Sequence, residues 1–419
     1  ASVHASGAGF NPVNHGASTD FDLNVGHIVC NGTTLSDITL VGSLADGNFA
    51  ITGHSPNQNL NFDIDLEGSV APDLYDVAGT VNLYHADLQA LGFSKEMCQG
   101  TAILSVDATA SPDKWLYDAT LDISDLDWNM PGQYIHLPNG VHAYLKAVED
   151  HVSADVESQL TTLHFESQSG LSNLIDSFMA AAEEAEKQVK DRELVMDEIQ
   201  KRLPQFSLSL NASGRGLIRQ LLNPSEMSVD TVYAAFTNDS ILRGNAGMLA
   251  LNTGSLKIAT LSLNLSQRGK LLDYKAHIGN APGTFDEFAK VDLNGYLGSN
   301  RVSAYLRQHN IQGEMGYRLG LTAALMDSTL SIHFTPLKST IAYLPWTLNS
   351  DNHIDLNIST LAVNANLMAK SKESSILVET IPDENDGSNS LHLNLTNIKE
   401  QDFLQLSGIA PTLTATVDS

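Results

Sequence analysis

Asn59–Leu60–Asn61–Phe62–Asp63–Ile64–Asp65–Leu66–Glu67 alternates without a fault between apolar and polar residues. Successive side chains of a strand point to opposite faces. Leu60, Phe62, Ile64 and Leu66 therefore share one face, and the other face is wholly polar. The same period of two recurs in Leu121–Asp122–Ile123, Phe206–Ser207–Leu208–Ser209–Leu210, Leu261–Ser262–Leu263–Asn264–Leu265, Leu330–Ser331–Ile332–His333–Phe334 and Leu391–His392–Leu393–Asn394–Leu395. Turn signals lie between such stretches, at Ala45–Asp46–Gly47–Asn48, Pro138–Asn139–Gly140 and Gly298–Ser299–Asn300. Strands that follow one another without alternating helices predict a mainly β fold with a meandering, mostly antiparallel sheet.

One segment departs from this pattern. Leu171, Leu174, Phe178, Ala182, Ala185, Val189, Met196, Ile199 and Leu203 recur mostly at steps of three and four, and charged residues from Glu183 to Lys201 occupy the opposite side. The pattern predicts one long amphipathic helix of about 45–50 Å at 1.5 Å per residue, stopped by Pro204. Its stripe is expected to pack on a sheet, with a membrane surface or a partner as the alternative. The chain then divides into a first β segment (1–170), the helix (171–204) and a second β segment (205–419) that continues the first.

A faint repeat relates Leu256–Lys257–Ile258–Ala259–Thr260–Leu261–Ser262–Leu263–Asn264 to Leu356–Asn357–Ile358–Ser359–Thr360–Leu361–Ala362–Val363–Asn364. In both, the apolar parity flips after the isoleucine, as a β-bulge or a strand break requires. Thr412–Leu413–Thr414–Ala415–Thr416–Val417 reads as a strand just beginning, and the first residues read as mid-sheet sequence, so a segment of a longer protein is expected.

The charge excludes some functions. Lys plus Arg number 23 against 49 Asp plus Glu, a formal net charge of -26. Nucleic acid needs a basic face, and the charge also disfavours tight docking on an anionic lipid surface. The hydrophobic fraction of 42% sets the chain apart from disordered acidic polymers. Cys30 and Cys98 form no CxxC pair, and whether they bond to each other is open. No apolar run reaches the roughly 18 residues of a membrane helix, and the N-terminal residues have no signal-peptide pattern.

Chemistry is hard to find. GxSxG, P-loop, HExxH and GxGxxG signatures are absent, so no catalytic residue, cofactor or metal is expected. His136 and His142 read as surface residues flanking a turn, and Asp63, Asp65 and Glu67 as a solvated ladder. Asp383–Glu384–Asn385–Asp386–Gly387 lacks the downstream Glu of an EF-hand loop and reads as an exposed turn. Six Asn-x-Ser/Thr triplets are expected from composition alone in a chain this rich in those residues.

A resemblance carries the reading further. Tyr317–Arg318–Leu319, Leu325–Met326–Asp327–Ser328–Thr329–Leu330, Thr335–Pro336, Ile341–Ala342 and Trp346–Thr347–Leu348–Asn349–Ser350–Asp351–Asn352 resemble the TamB proteins of Bacteroidetes-type bacteria, members of the AsmA-like superfamily. So do Ala86–Asp87–Leu88–Gln89–Ala90–Leu91–Gly92, Leu203–Pro204 and Leu210–Asn211–Ala212–Ser213–Gly214. The resemblance implies an elongated, twisted sheet curled into an open apolar trough. It also implies a periplasmic location in a protein anchored to the inner membrane by a segment outside this chain. The implied partner is an outer-membrane barrel of the BamA/TamA type, met through parts outside this chain, and the implied roles are phospholipid traffic and outer-membrane biogenesis. No catalytic motif is transferred.

The residues agree with that mechanism. A single sheet with one apolar face has no second sheet to bury it, and lipid tails can take that place. Leu60, Phe62, Ile64, Leu66, Leu261, Leu263, Leu265, Ile332 and Phe334 are the expected trough lining, in contact with phospholipid acyl chains. The competing expectations are a closed core, a scaffold or chaperone that guides nascent barrel strands along a sheet edge, a surface adhesin-like β-solenoid and, last, an enzyme.

Overall fold

A computed structural model describes residues 2–8, 16–30, 33–191, 193, 195–215, 227–254, 257–280, 289–335, 338–372, 374–382 and 389–397. These residues hold 27 strands, two α-helices and one short 3-10 helix, and every strand pairing among them is antiparallel. The expectation of a mainly β, antiparallel chain is met. The chain divides into two compact units. The first comprises Ala1–Met179, Leu203–Asp239 and Asn252–Gly254; the second comprises Ala180–Arg202, Ser240–Leu251 and Ser255–Ser419.

The first unit is a meander. Its strands are β1 (Ser2–Ala8), β2 (Ser18–Cys30), β3 (Thr33–Ala45), β4 (Asn48–Asn57), β5 (Leu60–Ala71), β6 (Leu74–Asp87), β7 (Gln99–Ser111) and β8 (Leu116–Met130). They continue with β9 (Gln133–Leu137), β10 (Val141–Val148), β11 (His151–Ser158), β12 (Thr161–Ser167), β13 (Phe206–Ser213) and β14 (Thr231–Asn238). Each pairs with the next, except that β8 is long enough to serve two partners. Its far end pairs with β9, and its near end, Tyr117 to Ile123, pairs with β10. The unit boundary does not fall at the helical segment. β13 pairs with β12 from Phe206↔Ser167 to Ala212↔Thr161, which ties the first strands after the helices to the sheet before them.

Local chemistry sets the register. Asp46 and Gly47 both adopt positive φ (49° and 85°) between β3 and β4, the geometry that a two-residue hairpin turn demands. Gly42 lies directly opposite Phe21, and a side chain on it would meet the Phe21 ring. Gly100 stands in the same relation to Trp128. In both places the missing Cβ lets an aromatic ring lie flat on the neighbouring strand. The Trp128 indole N–H also donates to the Cys98 sulfur at 3.2 Å; Cys98 is a free, half-buried thiol.

The single long helix is corrected to two. α1 spans Leu171–Asp191 and α2 spans Met196–Arg202. The Gln188 amide accepts from the Val195 N–H at 2.8 Å and donates to the Val195 carbonyl at 3.1 Å. Arg202 ion-pairs with Glu184 at 2.8 Å. In one continuous helix those two residues would sit about 27 Å apart along the axis, so the contact exists only because the chain turns back. The buried positions also differ from the expected stripe. In the first unit Leu174 packs with Ala147 and Val152, joined by Leu171, Leu145, Phe165 and Tyr117. In the second unit Ala181, Glu184 and Gln188 are buried, whereas Val189 is 78% exposed. Polar groups took the inward positions because Glu184 and Gln188 have partners there, which lowers the cost of burying them.

The second unit contains most of β15 (Leu242–Asn252) and all of β16 (Lys257–Arg268), β17 (Leu271–Asn280), β18 (Lys290–Gly298), β19 (Arg301–His309), β20 (Met315–Met326) and β21 (Thr329–Phe334). It ends with β22 (Ser339–Ile341), β23 (Leu344–Leu348), β24 (His353–Asn357), β25 (Val363–Ser371), β26 (Ser374–Pro382) and β27 (Asn389–Thr396). β20 serves both β21 and β22, and β25 receives both β24 and β23. This doubled route encloses a small core of Trp346, Leu348 and Ala369, flanked by Phe334, Ile341, Leu344, Leu367 and Ile376. Asn352, 1% exposed, clasps it by accepting from the Phe334 N–H and donating to the Phe334 and Asn349 carbonyls.

The two segments of the proposed repeat are built differently. The first carries a register shift between Ile258 and Thr260 inside β16. The second breaks after Asn357 into a turn that holds Leu361 at φ 62° before β25 begins. Asp383–Gly387 and the C-terminal stretch from Thr412 lie outside the described residues.

The packing of α1 predicts unequal responses. Leu174→Ala should destabilise the protein to denaturant by about 2–4 kcal/mol, whereas Val189→Ala should change stability by less than about 0.5 kcal/mol. Equal losses would contradict the inward face assigned to α1.

Candidate functional site: the uncovered apolar faces

Strand register converts the alternation into continuous rows. In the first unit one row runs Phe21–Gly42–Ile51–Leu66–Gly79–Val106 across β2 to β7. It continues as Leu121–Ala143–Val156–Leu163–Leu210–Ala234 across β8 and β10 to β14. No member carries a polar side chain. The row one residue along each strand, Asp22–Val41–Thr52–Asp65–Thr80–Ser105–Asp122–His142–Glu157–Thr162–Asn211–Tyr233, is nearly all polar.

Among the described residues the apolar row is partly covered: ten of its twelve members are half-buried. Of its twelve members only Gly42 is buried, and Leu121 is 37% exposed. α1 covers part of the same face at one margin, where Leu174 meets Ala147 and Val152 and the Phe178 ring packs on Phe206 at 5.6 Å between centroids.

The second unit has the same two-faced design. One of its rows is Leu263–Ala276–Leu293–Leu306–Leu319, and its neighbour is Leu265–Tyr274–Gly295–Ala304–Leu321–Phe334. Leu263 is 37% exposed.

The nine expected lining residues fall as follows. Leu60, Phe62, Ile64 and Leu66 alternate along β5 on the apolar side, with Phe62 buried at 9% exposure and the other three half-buried. A register shift between Asn61 and Phe62 separates Leu60 from the rest. In the second unit the pairings bring Leu261, Leu263, Leu265, Ile332 and Phe334 to one face. Phe334 is a packing residue there, set against the Trp346 core.

The polar face holds a feature that sequence reading missed. Five histidines sit directly opposite an aspartate on the neighbouring strand and place Nδ1 on its carboxylate: His54–Asp63 at 2.6 Å, His136–Asp127 at 2.9 Å, His142–Asp122 at 2.6 Å, His164–Asp155 at 2.6 Å and His277–Asp292 at 2.7 Å. Three of these pairs are mirror positions about the two-residue turns at 58–59, 131–132 and 159–160. Counting outward from each turn would have found them. Tyr84 and Tyr134 also donate to Asp63 and Asp127.

The hydrogen bonds from His54 and Tyr84 hold the Asp63 carboxyl below the usual carboxylate range, as those from Tyr134 and His136 do for Asp127. The Asp122 and Asp155 carboxylates raise the pKa values of His142 and His164. Among the described residues no group of three or more His, Cys, Asp or Glu is arranged to hold a metal ion, and no helix is long and apolar enough to cross a membrane.

The raised histidine values fix a sign. Stability from a group with a raised folded pKa is present below its unfolded value, 6.5 for histidine, and is lost as pH climbs through the folded value. The stability advantage of the native chain over the His142→Gln/His164→Gln double variant should therefore be larger near about pH 6 than near about pH 9. An advantage independent of pH would contradict these pairings.

Comparison with known proteins adds no relative: no family model, no curated protein and no solved structure matches this chain.

Proposed function

We propose that this chain is a non-enzymatic segment of a periplasmic bridge that conducts phospholipid between the inner and outer membranes, its acyl chains carried along the apolar sheet faces. The supporting observation is the continuous apolar row from Phe21 to Ala234, in which ten of twelve members are half-buried and Leu121 is exposed. Apolar surface of that continuity, left partly open to solvent, suits a binding surface. Each methylene buried is worth about 0.8 kcal/mol, so a path of apolar side chains removes much of the cost of moving a two-tailed lipid through water. Head groups stay in water and need no dedicated pocket. In this reading the sheet faces form the trough, the family resembled is TamB and its AsmA-like relatives, and the inner-membrane anchor and BamA/TamA-type barrel contact belong to parts of the protein outside this chain.

One observation favours a second reading, a scaffold for outer-membrane protein assembly. Among the described residues β27 pairs only with β26, and Leu391, Leu393 and Leu395 on it are 55%, 64% and 47% exposed. A terminal strand of the described residues that carries an apolar ladder suits addition of another strand. A surface adhesin of solenoid type is disfavoured by antiparallel strands of up to 15 residues, since β-solenoids stack short parallel rungs.

Photo-crosslinking residues at Leu121 and Leu263, with Asp122 and Asn264 as opposite-face controls, separate these readings in the intact protein in its native envelope. Phospholipid adducts at the first two positions alone are expected. Protein adducts at Leu121 and Leu263 without lipid would favour the scaffold, and equal labelling of both faces would overturn lipid conduction.

A further inference from the structure

The polar face of the second unit carries a local charge opposite to that of the chain. Register places Lys275, Lys290, Arg307 and Arg318 on one face of β17, β18, β19 and β20. In a chain of net charge -26 such a cluster would be expected to have acidic neighbours. Among the described residues none of the four makes an ion pair, although Arg268 and Arg202 each find a carboxylate.

Two details make the cluster unusual. Arg307 stands directly opposite Arg318, and like charges in that position are destabilising. The Arg318 Nε and the His309 Nδ1, beside the cleft rather than lining it, are buried atoms without a hydrogen-bond partner, a state that costs free energy. Two acidic residues share this face: Asp292, directly opposite Arg307, has its carboxylate engaged by His277 at 2.7 Å, and Asp273 is paired with Arg268 at 3.0 Å. Arg307 is held with its guanidinium 4.9 Å from the Tyr305 ring centroid. Beside it a cleft of about 160 Å³ is lined by Lys275, His277, Asp292, Asn294, Arg307 and Asn264. Burial, Lys290, Arg318 and Arg307 lower the His309 pKa, with Asp292 opposing.

We infer that this cleft and the adjoining Arg307–Arg318 pair form a binding site for a phosphate-bearing anion, either a free phosphate ester or a phospholipid head group. Lysine supplies point charge, and paired guanidinium groups supply forked donors that match phosphate oxygens. An anion between Arg307 and Arg318 converts their repulsion into two charge-assisted contacts. The site lies on the face opposite the apolar rows, so it stands whatever those rows carry.

The test uses the full chain and two probes. The first is inorganic phosphate against chloride at matched ionic strength, read as a thermal midpoint. The second is flotation with phosphatidylcholine vesicles, with and without phosphatidylglycerol. Phosphate should raise the midpoint of the native chain and of Lys370→Gln, and the rise should vanish in Arg307→Gln/Arg318→Gln. That double variant should keep its circular dichroism spectrum, and its midpoint in chloride should be no lower than that of the native chain. Flotation that requires phosphatidylglycerol and is lost in the double variant assigns the site to a lipid head group, and a phosphate shift without flotation assigns it to a soluble ester. Neither response, or either response surviving in the double variant, would overturn the inference.

Discussion

A β-sheet with one apolar face must find a second layer, and the described residues of this chain supply little of one. The cost is set by area: exposed apolar surface is worth about 25 cal/mol per Å² when it leaves water. In the first unit the row from Phe21 to Ala234 spans twelve strands, whereas the buried cluster beneath α1 contains Ala147, Val152 and Leu174. In the second unit the enclosed core centres on Trp346, Leu348 and Ala369. A ladder of backbone hydrogen bonds holds the strands together, and beyond these two clusters the buried apolar side chains, such as Phe62, Leu91, Leu137 and Leu272, are scattered among the described residues. The proposed lipid contact follows from that imbalance.

Everything else depends on register. A slip of one residue would turn Leu66 to the polar side and Asp65 to the apolar side. Three devices prevent it. The two-residue turn at Asp46–Gly47 fixes the β3–β4 hairpin, the Phe21 and Trp128 rings lie over Gly42 and Gly100 where a side chain would clash with them, and the His–Asp pairs form only when each histidine faces its own aspartate. The basic cluster on β17 to β20 is a product of the same constraint, since its four cations are distant in sequence and meet only through pairing.

The alternation was legible because it is local. Leu60 to Leu66 and Leu261 to Leu265 each announce a two-faced strand within a few residues, and the turn residues between strands announce antiparallel hairpins. Tertiary choices were not legible in that way. The break between α1 and α2 depends on the Gln188 amide reaching Val195 and on Glu184 meeting Arg202. A helical stripe drawn through Val189 and Met196 cannot anticipate either contact. Phe62 and Phe334 looked equivalent to Leu263 by pattern. Phe62 is buried on β5 and Phe334 is set against the Trp346 core, whereas Leu263 is open to solvent. His136 and His142, read singly as surface residues, belong to ordered His–Asp pairs once strands are aligned, and three of the five pairs sit at mirror positions about a two-residue turn.

Native mass spectrometry of the purified chain, released without detergent exchange, tests most directly whether the uncovered apolar faces hold lipid. The account predicts a monomer carrying phospholipid-mass adducts, with the adducts reduced by Leu121→Asp while circular dichroism retains the β spectrum. A lipid-free monomer of undiminished stability would contradict it, as would a lipid-free dimer in which a second copy covers the row from Phe21 to Ala234.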